Sequence, residues 1–127
     1  MKVIQLTALC IAVALSAAAG AHHSFAMFDF EKTVKVEGEV TKFEFTNPHI
    51  WVYVQGKDAQ GKVVEYAIEG GSPNTLLRAG WKRDSVRPGA QAVVMIHPRR
   101  NGEPGGSLIS IEIDGKPVGR PSDGRKP

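Results

Sequence analysis

Alternating apolar and polar positions divide the chain after residue 32 into five predicted strands. From residue 33 to 45, valines alternate with lysines and glutamates, which is the period of a strand with one buried face. Past Thr41 the apolar phase slips to Phe43 and Phe45, which predicts a bulge or sharp bend that Gly38 would ease. Shorter segments with apolar residues on alternate positions predict strands over 49–54, 62–68, 91–97 and 107–113.

One short helix interrupts this series. Ser72 is a favourable N-cap, Pro73 suits the first helical position and Gly80 ends the segment, so a helix is predicted over 74–79. Three strands, a short helix and two strands follow the order of an OB-type barrel, in which the helix plugs one end. An open meander sheet or a sandwich would give the same order. We therefore expect an all-β protein with one short helix, folded as a small five-stranded OB-like barrel.

The strand pattern also predicts the core. In the second strand the aliphatic side chains share one face, while His49, Trp51 and Tyr53 share the other. The aliphatic face is the better core candidate. The residues expected to be buried are Ile50, Val52, Val54, Tyr66, Ile68, Leu76, Val94, Ile109 and Ile111.

The N-terminal segment has the pattern of a secretory signal over 1–21. A short positive region precedes an apolar run over 3–14, which is too short to span a bilayer, and small residues occupy 19–21. A membrane anchor is the alternative, and the short run disfavours it. Cys10, the sole cysteine, lies inside the signal, and Leu9 before it disfavours lipidation. We expect a periplasmic or secreted protein with no disulfide and no stable membrane insertion after cleavage.

Composition sets the remaining boundaries. We expect a lead-in segment over 22–32, the barrel domain over 33–114 and a disordered tail over 115–127, where glycine, proline and charge predominate. The whole chain has 16 Lys+Arg and 13 Asp+Glu, a formal charge of +3. Loss of Lys2 with the signal leaves about +2, so a nucleic acid is not an expected partner.

The histidines are the main candidates for chemistry. Cleavage after Ala21 would make His22 the first residue, so that its α-amine and ring could chelate one metal ion, with His23 beside it. His49 begins the second predicted strand and His97 ends the fourth, so one barrel rim could bring both to the lead-in. Nitrogen ligands favour copper, and zinc is possible. Taken singly, His49 is better explained by hydrogen bonding within a turn, and His97 by capping a strand end.

A second candidate site is the aromatic pair Trp51 and Tyr53, which could stack a ligand, as OB-type barrels do, or pack under the lead-in.

Two functions follow from these candidate sites. The first is a periplasmic metal-binding protein for metal handling. The alternative is a metal-free OB-like interaction module that binds a peptide, a glycan or an envelope protein. A copper oxidase ranks last, since nothing marks a substrate surface. Glu65 and Glu69 have no partner that the sequence makes evident.

Several motifs together resemble a known family. They are HHSFAMFD from His22, NPHIW from Asn47, EGGSP from Glu69, Gly80-Trp81, Arg87-Pro88-Gly89 and His97-Pro98. They resemble a domain-of-unknown-function family of short exported bacterial proteins, and the resemblance covers nearly the whole mature chain. It implies export and brings no established activity.

Overall fold

A computed structural model describes residues 26–120. The strands are β1 (Val34–Glu44), β2 (Trp51–Lys57), β3 (Val63–Glu69), β4 (Gln91–Pro98), β5 (Gly105–Ile113) and β6 (Lys116–Pro117), and one helix, α1 (Pro73–Arg78), lies between β3 and β4. The predicted signal over 1–21, the histidines at 22 and 23 and the end of the tail over 121–127 lie outside the described residues. Within residues 26–120 no helix has the length and apolarity needed to cross a membrane.

The strands form one closed sheet. Their order is β3-β2-β1-β4-β5-β6, and β3 also pairs with β5, in parallel, which closes the first five strands into a barrel. The other neighbours in the sheet are antiparallel. The predicted fold class, a small all-β barrel with one short helix, is therefore confirmed, and closure of the sheet excludes the open meander and the sandwich.

The first strand serves both halves of the barrel. Its first half pairs with β4 and its second half with β2, and the register with β2 shifts between Val40 and Lys42. This shift is the bulge that the phase slip predicts. At the bend Gly38 lies so close to β2 that a Cβ there would be 1.9 Å from the carbonyl oxygen of Gln55. Glycine is therefore required for the two backbones to approach.

Most of the predicted core is observed. Ile50, Val52, Val54, Ile68 and Val94 have no exposed surface, and Ile111 is 2% exposed. Tyr66 and Leu76 are half-buried and pack at the margin of this core. The helix begins as expected, with the Ser72 side chain accepting a hydrogen bond from Thr75 N, and Trp81 follows it into the core.

Ile109 is the exception, since its side chain is 46% exposed. The register between β4 and β5 shifts beside Ile96, which pairs with Leu108, whereas Met95 pairs with Ser110. This shift leaves Ile109 as an extra residue on β5. As a result Leu108 and Ile111 both contribute to the core, and the prediction that Ile109 is buried is wrong.

The chain after β5 is more ordered than its composition suggests. Residues 115–120, expected to be disordered, contain β6, which extends the sheet beside β5. Beyond it Val118 N donates a hydrogen bond to Ile111 O at 3.0 Å, and Arg120 N donates one to Ala79 O at 2.8 Å. A tight turn at Asp114 and Gly115, both with positive φ, returns the chain to the sheet. Backbone hydrogen bonds, together with the packing of Val118 against the core, therefore order this segment.

Candidate metal site and aromatic face

The described part of the lead-in, residues 26–32, is attached to the end of β4. Phe28 is 5% exposed and forms an antiparallel bridge with Arg99. Asp29 N donates a hydrogen bond to Pro98 O at 2.8 Å, and Arg100 N donates one to Met27 O at 2.9 Å. These contacts fix the chain five residues beyond His22, next to the end of the strand that carries His97.

An ion pair tightens the turn that follows. The Lys32 ammonium lies 3.0 Å from Asp29 Oδ2. This hydrogen bond, helped by the charge of Lys32 and by the amide of Glu31, holds the pKa of the Asp29 carboxyl below its usual range. The turn places the carbonyl group of Lys32 toward β4.

His97 is half-buried at the end of β4 and contacts this turn. Its Nδ1 lies 2.8 Å from the carbonyl oxygen of Lys32, and its ring meets the ring of Phe30 edge-on, with 5.1 Å between centroids. A carbonyl oxygen only accepts, so Nδ1 carries the hydrogen. In the neutral ring Nε2 is therefore the nitrogen whose lone pair can bind a metal ion.

His49 has the same arrangement with a carboxylate. Its Nδ1 lies 2.7 Å from Glu69 Oε1, and the Glu69 side chain is 18% exposed while that of His49 is 44% exposed. The backbone around it is fixed to the end of β3, because Ile50 N donates to Gly71 O and Gly70 N donates to Ile50 O. Glu69 accepts the hydrogen of Nδ1, so Nε2 of the neutral His49 ring is again the available nitrogen.

Strand register shows how the two histidines are related. Glu69 pairs with Ser107 across β3 and β5, and Ser107 pairs with His97 across β5 and β4. Directly paired residues share a face of the sheet, so Glu69, Ser107 and His97 form a row with a Cα separation of about 10 Å between its ends. His49 and His97 therefore belong to the same rim of the barrel, as the positions of their strand ends predict.

The rim by itself is not a complete metal site. Among residues 26–120, no three His, Cys, Asp or Glu side chains are close enough to hold one metal ion. His22 and His23 lie outside the described residues, so their positions relative to the rim stay a prediction. Sequence reasoning missed Glu69, which is the hydrogen-bond partner of His49. The alternation along β3, which places Glu69 on the same face as Glu65 and opposite to Ile68, was the available signal in the sequence.

The two aromatic residues lie on the outside of β2. Trp51 and Tyr53 are half-buried, whereas Val52 between them is fully buried. Their ring planes are 27° apart, with 6.4 Å between centroids. The described lead-in pairs with the end of β4 and does not form a strand beside β2. The pair thus lies on an outer face of the barrel, available for a ligand or for the preceding residues of the lead-in.

Charged groups surround this pair. The Lys42 ammonium lies 5.3 Å from the centroid of the Tyr53 ring and also forms an ion pair with Glu44. The hydrogen bond to Glu44 raises the pKa of Lys42 above its usual range. Glu65 accepts a hydrogen bond from the Thr41 hydroxyl at 2.8 Å. Glu65 and Glu69, for which the sequence makes no partner evident, therefore both have partners.

The fold and this rim define a small OB-like barrel protein with two histidines oriented through Nδ1. The model of a protein family described as "Family of unknown function (DUF6152)" matches residues 10–108, more than three-quarters of the chain. The chain therefore belongs to this family, which confirms the resemblance to a domain-of-unknown-function family. Comparison with curated proteins and with solved structures gives no match.

Proposed function

We propose that the mature protein binds copper in the periplasm or outside the cell, and that it serves in metal handling. The ligands are the α-amine and ring of His22 together with Nε2 of His49 and of His97, with His23 adjacent. The observation that carries this proposal is the orientation of the two rim imidazoles. A histidine that binds a metal usually donates its second ring N–H to a carboxylate or a backbone carbonyl. Glu69 and the carbonyl group of Lys32 provide these two acceptors.

The length of the lead-in is compatible with a shared site. The backbone of Met27 accepts a hydrogen bond from the backbone of Arg100, which lies three residues beyond His97. His22 lies five positions before Met27, and a segment of this length spans at most about 18 Å. The new terminus can therefore reach the rim without rearrangement of the barrel.

The types of ligand favour copper. After cleavage the chain has no cysteine, so thiolate is not among its ligands. Three or four nitrogen ligands suit Cu(II), which binds such sites more tightly than the other divalent first-row metals; zinc is the second choice. The α-amine has a reference pKa of about 7.7–8, so a metal ion can displace its proton near neutral pH.

The test compares four forms of the protein. Intact mass of exported material should first show a chain that begins at His22. Cu(II) titration then compares this protein with one that carries a Gly-Ser-Gly-Ser extension, and with His49→Ala and His97→Ala. The extension has four residues because a histidine in the second or third position would itself bind Cu(II) with the new amine.

We expect each of the three altered proteins to bind Cu(II) at least about tenfold more weakly, because each loses one nitrogen ligand. Circular dichroism should show an unchanged barrel. Equal Cu(II) affinity in all four proteins would refute the proposal, as would a mature chain that begins beyond His23.

A further inference from the structure

The outer face of β1, β2 and β3 carries three rows of paired side chains. Each row has one residue from each strand, and the central members on β2 are Gln55, Tyr53 and Trp51. We call these nine residues the acidic aromatic face. Its rows are Glu39–Gln55–Glu65, Lys42–Tyr53–Ala67 and Glu44–Trp51–Glu69.

The charge of this face is opposite to that of the chain. Four glutamates and one lysine give it a formal charge of −3, whereas the whole chain has a formal charge of +3. In the sheet Trp51 lies between Glu44 of β1 and Glu69 of β3, its direct cross-strand neighbours. Cross-strand neighbours have Cβ atoms about 5 Å apart, so a glutamate side chain begins on each side of Trp51.

An internal contact shows what this surface attracts. The Lys42 ammonium is placed both over the ring of Tyr53 and against the carboxylate of Glu44. A cation over an aromatic ring is stabilised by the ring quadrupole and, here, by the adjacent negative charge. Trp51 offers a stronger quadrupole than tyrosine and has a glutamate beside it on each neighbouring strand. It is therefore suited to a cation supplied by another molecule.

The spacing of the rings favours an extended peptide as the source of that cation. The centroids of Trp51 and Tyr53 are 6.4 Å apart. Alternate side chains of an extended chain repeat every 6.6 Å or so. Successive outward side chains of a bound strand would thus fall over successive rings, and Ala67 beside Tyr53 leaves room for one of them.

We infer that the acidic aromatic face binds an extended segment of a partner polypeptide rich in arginine or lysine, with one cation over Trp51 between Glu44 and Glu69. This inference does not depend on copper binding. Glu69 also orients His49, so the variants that test the inference are placed at Trp51 and Glu44 instead.

The experiment measures binding of a dye-labelled Arg-Ser-Arg-Ser-Arg-Ser-Arg-Ser peptide to the mature protein by fluorescence anisotropy, with a chelator present. The same peptide with glutamate in place of arginine is the charge control, and unlabelled chitohexaose is added as a competing neutral glycan. Trp51→Ala and Glu44→Gln are compared with Trp51→Phe, which keeps a ring, and with Glu112→Gln, which removes one exposed carboxylate from β5.

We expect the arginine peptide to bind and the glutamate peptide not to bind. Trp51→Ala and Glu44→Gln should each weaken binding about fivefold or more, whereas Trp51→Phe should lose less and Glu112→Gln should have no effect. The salt dependence of binding should fall in Glu44→Gln. An equal loss in Glu44→Gln and Glu112→Gln would indicate general charge attraction and overturn the inference. Displacement by chitohexaose, or binding that Trp51→Ala leaves unchanged, would overturn it as well.

Discussion

Nδ1 of His97 lies 2.8 Å from the carbonyl oxygen of Lys32, so the end of β4 and the lead-in orient each other. This contact joins residues 65 positions apart in the chain. It means that the orientation of one imidazole depends on the lead-in. The lead-in is therefore part of the candidate site rather than a spacer before the barrel.

Glu69 should control the imidazole of His49 in the same way. In Glu69→Ala the ring loses the acceptor for Nδ1, and we expect Cu(II) affinity to fall about tenfold, the usual lower bound for loss of such a partner. The free energy of unfolding should change by less than about 1 kcal/mol, because the pair is partly exposed. The matched control is Glu65→Ala on the same strand and face. Equal copper affinities in the two variants would show that the carboxylate of Glu69 does not orient a ligand.

Two isoleucines differ in burial because Ile68 lies in the core on β3, whereas Ile109 lies at the bulge in β5. Ile68 is fully buried and Ile109 is 46% exposed. We expect Ile68→Ala to lower the free energy of unfolding by about 2–5 kcal/mol and Ile109→Ala by less than about 1 kcal/mol. Urea unfolding followed by circular dichroism measures both. Similar losses in the two variants would contradict the register shift beside Ile96.

These two residues also show what the sequence can and cannot predict. The bulge in β1 is visible because its own apolar phase slips past Thr41. The shift in β5 is not visible, because Ile109, Ile111 and Ile113 alternate without a break and the shift is a property of the pairing with β4. The local pattern therefore predicts strands and most of the core, whereas register depends on the partner strand.

The same distinction applies to the site. The positions of His49 and His97 near strand ends predict a common rim. Their hydrogen-bond acceptors, Glu69 and the carbonyl group of Lys32, are 20 and 65 residues away and are brought close by the closed sheet. Composition likewise predicts disorder after residue 114, because composition contains no information on the backbone hydrogen bonds that order residues 115–120.

Gly106 should be essential for closing the barrel near His97. It is buried on β5, and a Cβ there would be 2.1 Å from the carbonyl oxygen of His97. In Gly106→Ala the strands β4 and β5 must separate at this point, so we expect a loss of at least about 2 kcal/mol in the free energy of unfolding. Gly71→Ala is the control, since its Cβ would meet nothing closer than the side chain of Leu76 at 3.8 Å. A well-folded Gly106→Ala protein of parental stability would contradict the close approach.

Stability at alkaline pH should depend on Tyr66. Burial, with a contribution from the charge of Asp58, raises the pKa of this phenol above its usual value of 10.0. Because the folded-state pKa is the higher one, the stability linked to this group is complete below about pH 10 and is lost as the pH rises through the folded-state pKa. We expect Tyr66→Phe to make the free energy of unfolding less dependent on pH above pH 10.

The Tyr66 hydroxyl also donates a hydrogen bond to Lys57 O at 3.0 Å. Near neutral pH, Tyr66→Phe should therefore cost about 1 kcal/mol. Absorbance titration of the tyrosines provides a direct reading, since one phenol should ionise at higher pH in the native than in the urea-unfolded protein, and that phenol should be missing from the variant. If the free energy of unfolding of Tyr66→Phe depended on pH above pH 10 as strongly as that of the parent protein, Tyr66 would not be the group concerned.

Phe28 should couple the lead-in to copper binding without being a ligand. Its side chain is 5% exposed and its backbone bridges Arg99, whereas the neighbouring Met27 is 46% exposed. Phe28→Ala removes the apolar contact that holds the lead-in on the barrel. Copper binding must then order the lead-in itself, and the entropy lost in doing so lowers the affinity. We expect Phe28→Ala to weaken Cu(II) binding several-fold, even though every proposed ligand is present, and Met27→Ala to have little effect.

Cu(II) titration measures this difference, under conditions in which circular dichroism shows that both variants are folded. Because the copper-free interaction with the arginine peptide involves a different face, it should be the same in both variants. If Phe28→Ala bound copper as tightly as Met27→Ala, the mature terminus would not depend on the docked lead-in to reach the rim.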